Sequence, residues 1–72
     1  MKRKDSIMTE RVAEEIYKFG LNNTEMARKL GCHRNAVVDW LTGRSIPSAF
    51  HLNSMHLAGM DVIYILTGER RA

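Results

Sequence analysis

Cys32 and His33 are adjacent residues whose types suggest nucleophilic catalysis. A thiol attacks as the thiolate, so it needs a base that faces it and an acid that orients the base. Neighbouring residues at the start of a helix do not face one another, and the sequence offers no such acid. We therefore interpret Cys32 as a small apolar residue of a turn, and we expect no catalytic residues and no enzyme activity.

Metal binding is the second chemistry that these side chains suggest, because histidine and cysteine are the usual zinc ligands. The histidines His51 and His56 are five residues apart, which on a helix separates their directions by about 140°. Such a pair does not converge on one ion. No glycine-rich phosphate loop is present either, so we expect no metal, no cofactor and no small-molecule substrate.

The apolar residues of the first third predict one amphipathic helix over residues 6–19, ended by Gly20. They recur every three or four positions and so share one stripe of the helix: Met8, Val12, Ile16 and Phe19.

Two further helices are predicted around Gly31. Asn22 and Glu25 form a capping-box pattern at the start of one helix, and the next helical pattern begins only about three residues after Gly31. This third helix has an apolar face with Val37, Trp40 and Leu41. Its opposite face is mostly polar: Arg34, Asn35, Val38, Asp39 and Thr42.

The last third predicts two short helices. Pro47 lies in a loop, and Ser48 is placed to cap a helix over residues 49–58. Gly59 ends that helix, and Asp61 caps a final apolar helix over residues 62–66. No strand alternation occurs, so the fold class is all-α with a core of seven residues: Val12, Ile16, Met26, Leu30, Val37, Trp40 and Leu52.

Length and charge place limits on function. The chain has 72 residues, which is room for one domain over residues 6–72 behind a basic arm over residues 1–5. Its net charge of +3 favours an anionic partner. No apolar run is long enough for a membrane span or a signal peptide, and one cysteine agrees with a reducing compartment. We therefore expect a cytoplasmic protein.

The segment NNTEMARKLGCHRNAVVDWLTG, residues 22–43, resembles the helix-turn-helix of the lambda-repressor, Cro and XRE-like regulators. The IPS turn, the fourth helix and the ending GMDVIYILTG resemble the rest of that five-helix domain. The resemblance covers nearly the whole chain from about Ile7. It implies a transcriptional regulator, of phage or prophage repressor type, that binds a pseudo-palindromic operator as a homodimer in a bacterial cell.

The resemblance also implies which residues contact bases. In the family these lie at the start of the recognition helix and one turn later, at positions that correspond to Arg34, Asn35, Val38 and Asp39. Their side chains suit guanine, adenine, a thymine methyl group and the amino group of cytosine, respectively. Asp39 has an alternative role, which is to orient Arg34 or Arg28.

Phosphate contacts are implied at four further positions: Asn23, Thr42, Arg44 and Ser45. The basic arm with Lys2, Arg3 and Lys4 either follows a groove of the DNA or is a solvated terminus.

The final helix is apolar nearly all round, so one face should join the core and another should meet a partner. The predicted dimer interface is Val62, Ile63, Tyr64, Ile65 and Leu66. Phe50 and Leu57 either extend this interface or complete the core.

A second class of function uses the same fold. An antitoxin or an antirepressor partner would be a protein-interaction module that does not contact bases. The exposed face with Arg34 and Asn35 distinguishes the two classes, because DNA recognition needs these side chains and protein docking does not.

Overall fold

The computed structural model describes residues 4–70, with side chains from Ile7 onward. Five helices follow one another: α1 (Lys4–Lys18), α2 (Asn23–Leu30), α3 (Arg34–Thr42), α4 (Ala49–Leu57) and α5 (Val62–Thr67). No strand occurs within residues 4–70, so the all-helical prediction is confirmed. None of these helices is long and apolar enough to cross a membrane. Lys2 and Arg3 of the predicted basic arm lie outside the described residues, and Lys4 already belongs to α1.

The helix starts are capped as the sequence predicts. At α2 the Glu25 N–H donates to Oδ1 of Asn22 at 2.8 Å, and the Asn22 N–H donates to Oε1 of Glu25 at 3.0 Å. Ser48 caps α4, and Asp61 caps α5 through a 3.0 Å bond from the Tyr64 N–H. Because each cap satisfies a backbone donor that has no partner inside its helix, these residues determine where the helices begin.

The core lies between α1, α2, α3 and the last two helices. Six of the seven predicted core residues are buried, and Leu52 is only half-buried. In α4 the fully buried residue is instead Met55, three positions later and about 60° away on the helix. Because α4 has apolar residues on several sides, its pattern did not distinguish the inward face. The other buried residues are Ala27, Met60 and Ile65 among the apolar ones, Pro47 of the loop, and Glu15.

The helices α2 and α3 pack more extensively on each other than any other pair does. They are joined by residues 31–33, and Gly31 adopts a left-handed conformation with φ of 70°. An L-residue with a side chain is strained in that conformation, whereas glycine is not. Ala27 is buried in α2, and its small side chain permits close helix packing. This arrangement positions α3.

Candidate nucleic-acid interface

One side of α3 is held firmly by the core. Val37 is fully buried and Trp40 is 3% exposed. The Trp40 ring also meets the His51 ring of α4 edge-on, with 5.1 Å between the ring centroids. Large buried side chains of this kind leave a helix little freedom to roll, so the opposite side of α3 has a defined orientation.

The start of α3 presents two polar side chains to solvent. Arg34 and Asn35 are both exposed, and among the side chains described, residues 7–70, neither has a hydrogen-bond or ion-pair partner. His33 caps the helix, because its Nδ1 accepts the Asn35 backbone N–H at 3.0 Å. The cap fixes the backbone from which both side chains project, while their donors and acceptors remain available to a ligand.

Val38 and Asp39 follow one turn later and are half-buried. Within the described part of the chain, no hydrogen bond or ion pair joins the Asp39 carboxylate to Arg34 or Arg28. The role of Asp39 in orienting either arginine therefore has no support in the geometry. Its backbone carbonyl accepts the Arg44 N–H at 2.9 Å, which closes the end of α3.

The predicted phosphate-contacting residues differ in availability. Arg44 and Ser45 are exposed just after Gly43, where the chain turns with φ of 81°. Thr42 is also exposed, but its hydroxyl donates to the carbonyl of Val38 at 2.8 Å, so its only donor is used inside the helix. Asn23 is half-buried in the first turn of α2. Arg44 is thus the strongest candidate of the four.

Positive and negative charges are distributed unequally over the domain. The side chains of Arg28, Arg34 and Arg44 have no partner among those of residues 7–70. Acidic residues of α1 and of the α5 N-terminus instead pair with Arg70, which bonds Glu14 at 2.7 Å and Glu15 at 2.6 Å. Within the described part of the chain, no carboxylate therefore pairs with the cations of α2, α3 and the loop after α3.

Glu15 is a buried charged side chain that sequence analysis missed. It is 2% exposed, and it accepts hydrogen bonds from the Asp61 N–H at 2.9 Å, from Arg70 and from Lys18. Burial by itself raises the pKa of Glu15, but these donors outweigh burial and hold that pKa below its ordinary value of 4.5. A signal was present, because Glu15 follows Val12 by three positions and so falls on the buried stripe of α1.

The α5 helix divides into buried and exposed residues. Ile65 is fully buried in the core, so its side chain is not available to a second chain, whereas Ile63 is 43% and Leu66 51% exposed. Tyr64 is half-buried; its hydroxyl donates to Glu14 at 3.0 Å, and this bond raises the pKa of Tyr64. Val62 is half-buried and packs against the core. The exposed apolar surface of α5 therefore consists of Ile63 and Leu66.

Two apolar side chains of α4 are strongly exposed. Phe50 is 71% and Leu57 77% exposed, so neither completes the core.

Cys32 is half-buried, and burial raises the pKa of its thiol, which opposes formation of a thiolate. Within the described residues, no three side chains of histidine, cysteine, aspartate or glutamate come together in a way that could hold a metal ion.

Comparison of this chain with protein-family models, with curated proteins and with solved structures finds no match. The resemblance to lambda-repressor-like regulators therefore stays a prediction, and a function has to be argued from the side chains and their geometry.

Proposed function

We propose that this protein is a sequence-specific transcriptional regulator that binds double-stranded DNA, with α2 and α3 as its helix-turn-helix. The observation that carries the proposal is the state of Arg34 and Asn35. Both side chains are exposed and have no partner among the side chains of residues 7–70, and they lie at the start of a helix whose other side is buried through Val37 and Trp40.

The major groove of B-DNA, about 12 Å wide, admits one α-helix. With α3 in the groove, Arg34 donates two hydrogen bonds to guanine and Asn35 forms a bidentate pair with adenine. Val38 lies near a thymine methyl group, and Asp39 accepts from cytosine. Specificity arises because each of these pairs fits one base pair and leaves polar groups unpaired on the others.

Contacts with phosphates set the register of α3 on the duplex. Arg44 and Ser45 supply them on one side of α3. The N-terminus of α2 supplies them on the other, because backbone N–H groups and the helix dipole favour an anion there. Asn23 lies at this end. Thr42 contributes only if its hydroxyl leaves the carbonyl of Val38.

Two copies are proposed to pair through the exposed residues of α5, Ile63 and Leu66. Ile65 is left out of this interface because it is buried within its own chain. A two-fold dimer of this kind places its two recognition helices about 34 Å apart, one turn of DNA. The operator is then a pseudo-palindrome with two half-sites.

A protein-interaction module without DNA recognition is the second candidate, and the exposure of Phe50 and Leu57 favours it. The two functions differ in whether they need the exposed side chains of α3. DNA recognition requires Arg34 and Asn35, whereas docking through α4 uses neither.

The experiment is selection of bound duplexes from a random library with the complete chain. The proposal predicts enrichment of one motif with two inverted half-sites whose centres are separated by about one helical turn. Duplexes that bind without any sequence enrichment, or no retained duplex at low salt, would exclude a sequence-specific regulator and favour the second candidate.

A further inference from the structure

An open groove of about 400 Å³ lies between the C-terminal ends of α2 and α4. Its walls include Arg28, Lys29 and Gly31 from the α2 side, and Ser54, Leu57 and Ala58 from the α4 side. None of these residues is among the base-contacting and phosphate-contacting residues proposed above. We propose that this groove is a docking site for an acidic amphipathic segment of a partner protein.

The apolar component of the groove is Leu57, which keeps 77% of its surface in water. Phe50, Ser54 and Leu57 follow one another at helical spacing of four and three residues, so they form one stripe along α4. Phe50 is 71% exposed and extends the apolar surface beyond the groove. Burial of this leucine in a complex would remove apolar surface from water, which makes it suitable as an anchor for a partner.

The polar component is cationic. Arg28 and Lys29 occupy the last turn of α2. Lys29 lies over the Phe19 ring at 5.6 Å from its centroid, whereas the guanidinium of Arg28 has no partner among the described side chains. A partner segment with a carboxylate next to an apolar side chain could therefore pair the carboxylate with the Arg28 guanidinium, which can donate two hydrogen bonds. Its apolar side chain would then contact Leu57.

The charge of the groove distinguishes an acidic partner from a second copy of this chain. In a two-fold dimer whose axis passes through the groove, the Arg28 and Lys29 side chains of both copies would be brought close together. Like charges at an interface are unfavourable. DNA phosphates would pair with Arg28 and Lys29, but they would make no apolar contact with the exposed Leu57.

Docking of a partner in the groove would be a second activity besides the proposed DNA binding. It does not depend on DNA binding, because the groove and the base-contacting residues share no side chain. Leu57→Ser should keep operator affinity, and Arg34→Ala should keep partner affinity. Failure of the groove and failure of DNA recognition are thus distinguishable in the same set of variants.

The test is a display selection from random 16-residue peptides against the complete chain. We expect enriched peptides to carry aspartate or glutamate three or four positions from a large apolar residue. Leu57→Ser should weaken the best peptide roughly tenfold, and Arg28→Glu should weaken it roughly fivefold. Arg44→Glu, which makes the same charge change outside the groove, should have no comparable effect. Circular dichroism melting checks that the variants stay folded, as expected for exposed positions.

Three results would overturn the proposal. The first is a set of enriched peptides without acidic residues, or with affinities that Leu57→Ser and Arg28→Glu leave unchanged. The second is loss of self-association in Leu57→Ser by sedimentation, which would assign the groove to a second copy. The third is an Arg28→Glu variant that loses affinity for a random duplex as strongly as Arg44→Glu does while it binds peptides normally, which would assign Arg28 to DNA.

Discussion

The backbone N–H of Asp61 donates a hydrogen bond to Oε1 of Glu15 at 2.9 Å, across 46 positions of the chain. Asp61 is the N-cap of α5, and Glu15 is a buried residue of α1. Since α1 also packs against α3, this bond connects the start of the proposed dimerisation helix to the support of the proposed recognition helix. The Glu15 carboxylate thus attaches the start of α5 to the helix that packs against α3.

Replacement of Glu15 by alanine should lower the free energy of unfolding by about 2–3 kcal/mol, because the Asp61 N–H and the Arg70 guanidinium lose a buried acceptor. Glu15→Gln keeps an oxygen that can accept from Asp61 and should cost less. Urea denaturation of both variants measures the difference. Equal losses in the two variants would contradict the role given to the Asp61 bond.

The contribution of the Glu15 charge to the free energy of unfolding should depend on pH. Because hydrogen bonds from Asp61, Arg70 and Lys18 hold the folded-state pKa of Glu15 below its ordinary value of 4.5, the ionised form stabilises the fold above that value. The contribution is lost as the pH falls through the lowered pKa. The difference in unfolding free energy between the parent and Glu15→Gln, which does not titrate, should be full near pH 7 and should shrink as the pH falls below 4.5. A difference that stays constant would show that the charge of Glu15 has no stabilising role.

The sequence predicted the buried stripe of α1 and the caps at Asn22, Ser48 and Asp61, because apolar spacing and capping chemistry are local signals. The buried Glu15 escaped prediction because charged residues are seldom buried without a partner. Its partner Arg70 lies beyond the last helix, where no periodic pattern marks it, and the contact joins positions 55 residues apart. Long-range polar pairs of this kind become visible only when the fold is known.

The sequence likewise predicted only in part which side chains of the candidate site are free to contact a ligand. Spacing placed Arg34 and Asn35 on the polar face of the third helix, and both are exposed. The same spacing could not tell that Thr42 donates its hydroxyl to its own helix. It also could not separate the buried Ile65 from the exposed Ile63 and Leu66, because all residues from 62 to 66 are apolar or aromatic.

His33 should be important for stability through its cap on α3. Because its Nδ1 accepts the Asn35 N–H, His33→Ala leaves that donor without a side-chain partner and should cost about 1 kcal/mol. His33→Ser restores a preferred capping oxygen and should recover most of the loss. Thermal melting compares the two variants. A serine variant no more stable than the alanine variant would argue against a capping role.

The proposed dimer should depend on the exposed side of α5. Leu66→Glu places a charge in an apolar interface and should shift the protein to monomer in sedimentation experiments, with little change in melting temperature because Leu66 is 51% exposed. Ile65→Ala is the contrasting variant: its side chain is buried, so it should destabilise the fold by about 2–5 kcal/mol. Leu66→Glu that sediments as the parent does would exclude α5 as the interface.

The central claim is that Arg34 and Asn35 contact bases whereas Arg44 contacts phosphate. The most direct test measures the affinity of the parent, Arg34→Ala, Asn35→Ala and Arg44→Ala for the selected operator and for a scrambled duplex at two salt concentrations. Arg34→Ala and Asn35→Ala should each lose about 1–3 kcal/mol of operator binding and relax the base preference at one position per half-site. Arg44→Ala should weaken both duplexes alike and flatten the salt dependence. If Arg34→Ala and Asn35→Ala remain folded and bind the operator as tightly and as selectively as the parent, α3 does not recognise DNA and the account is contradicted.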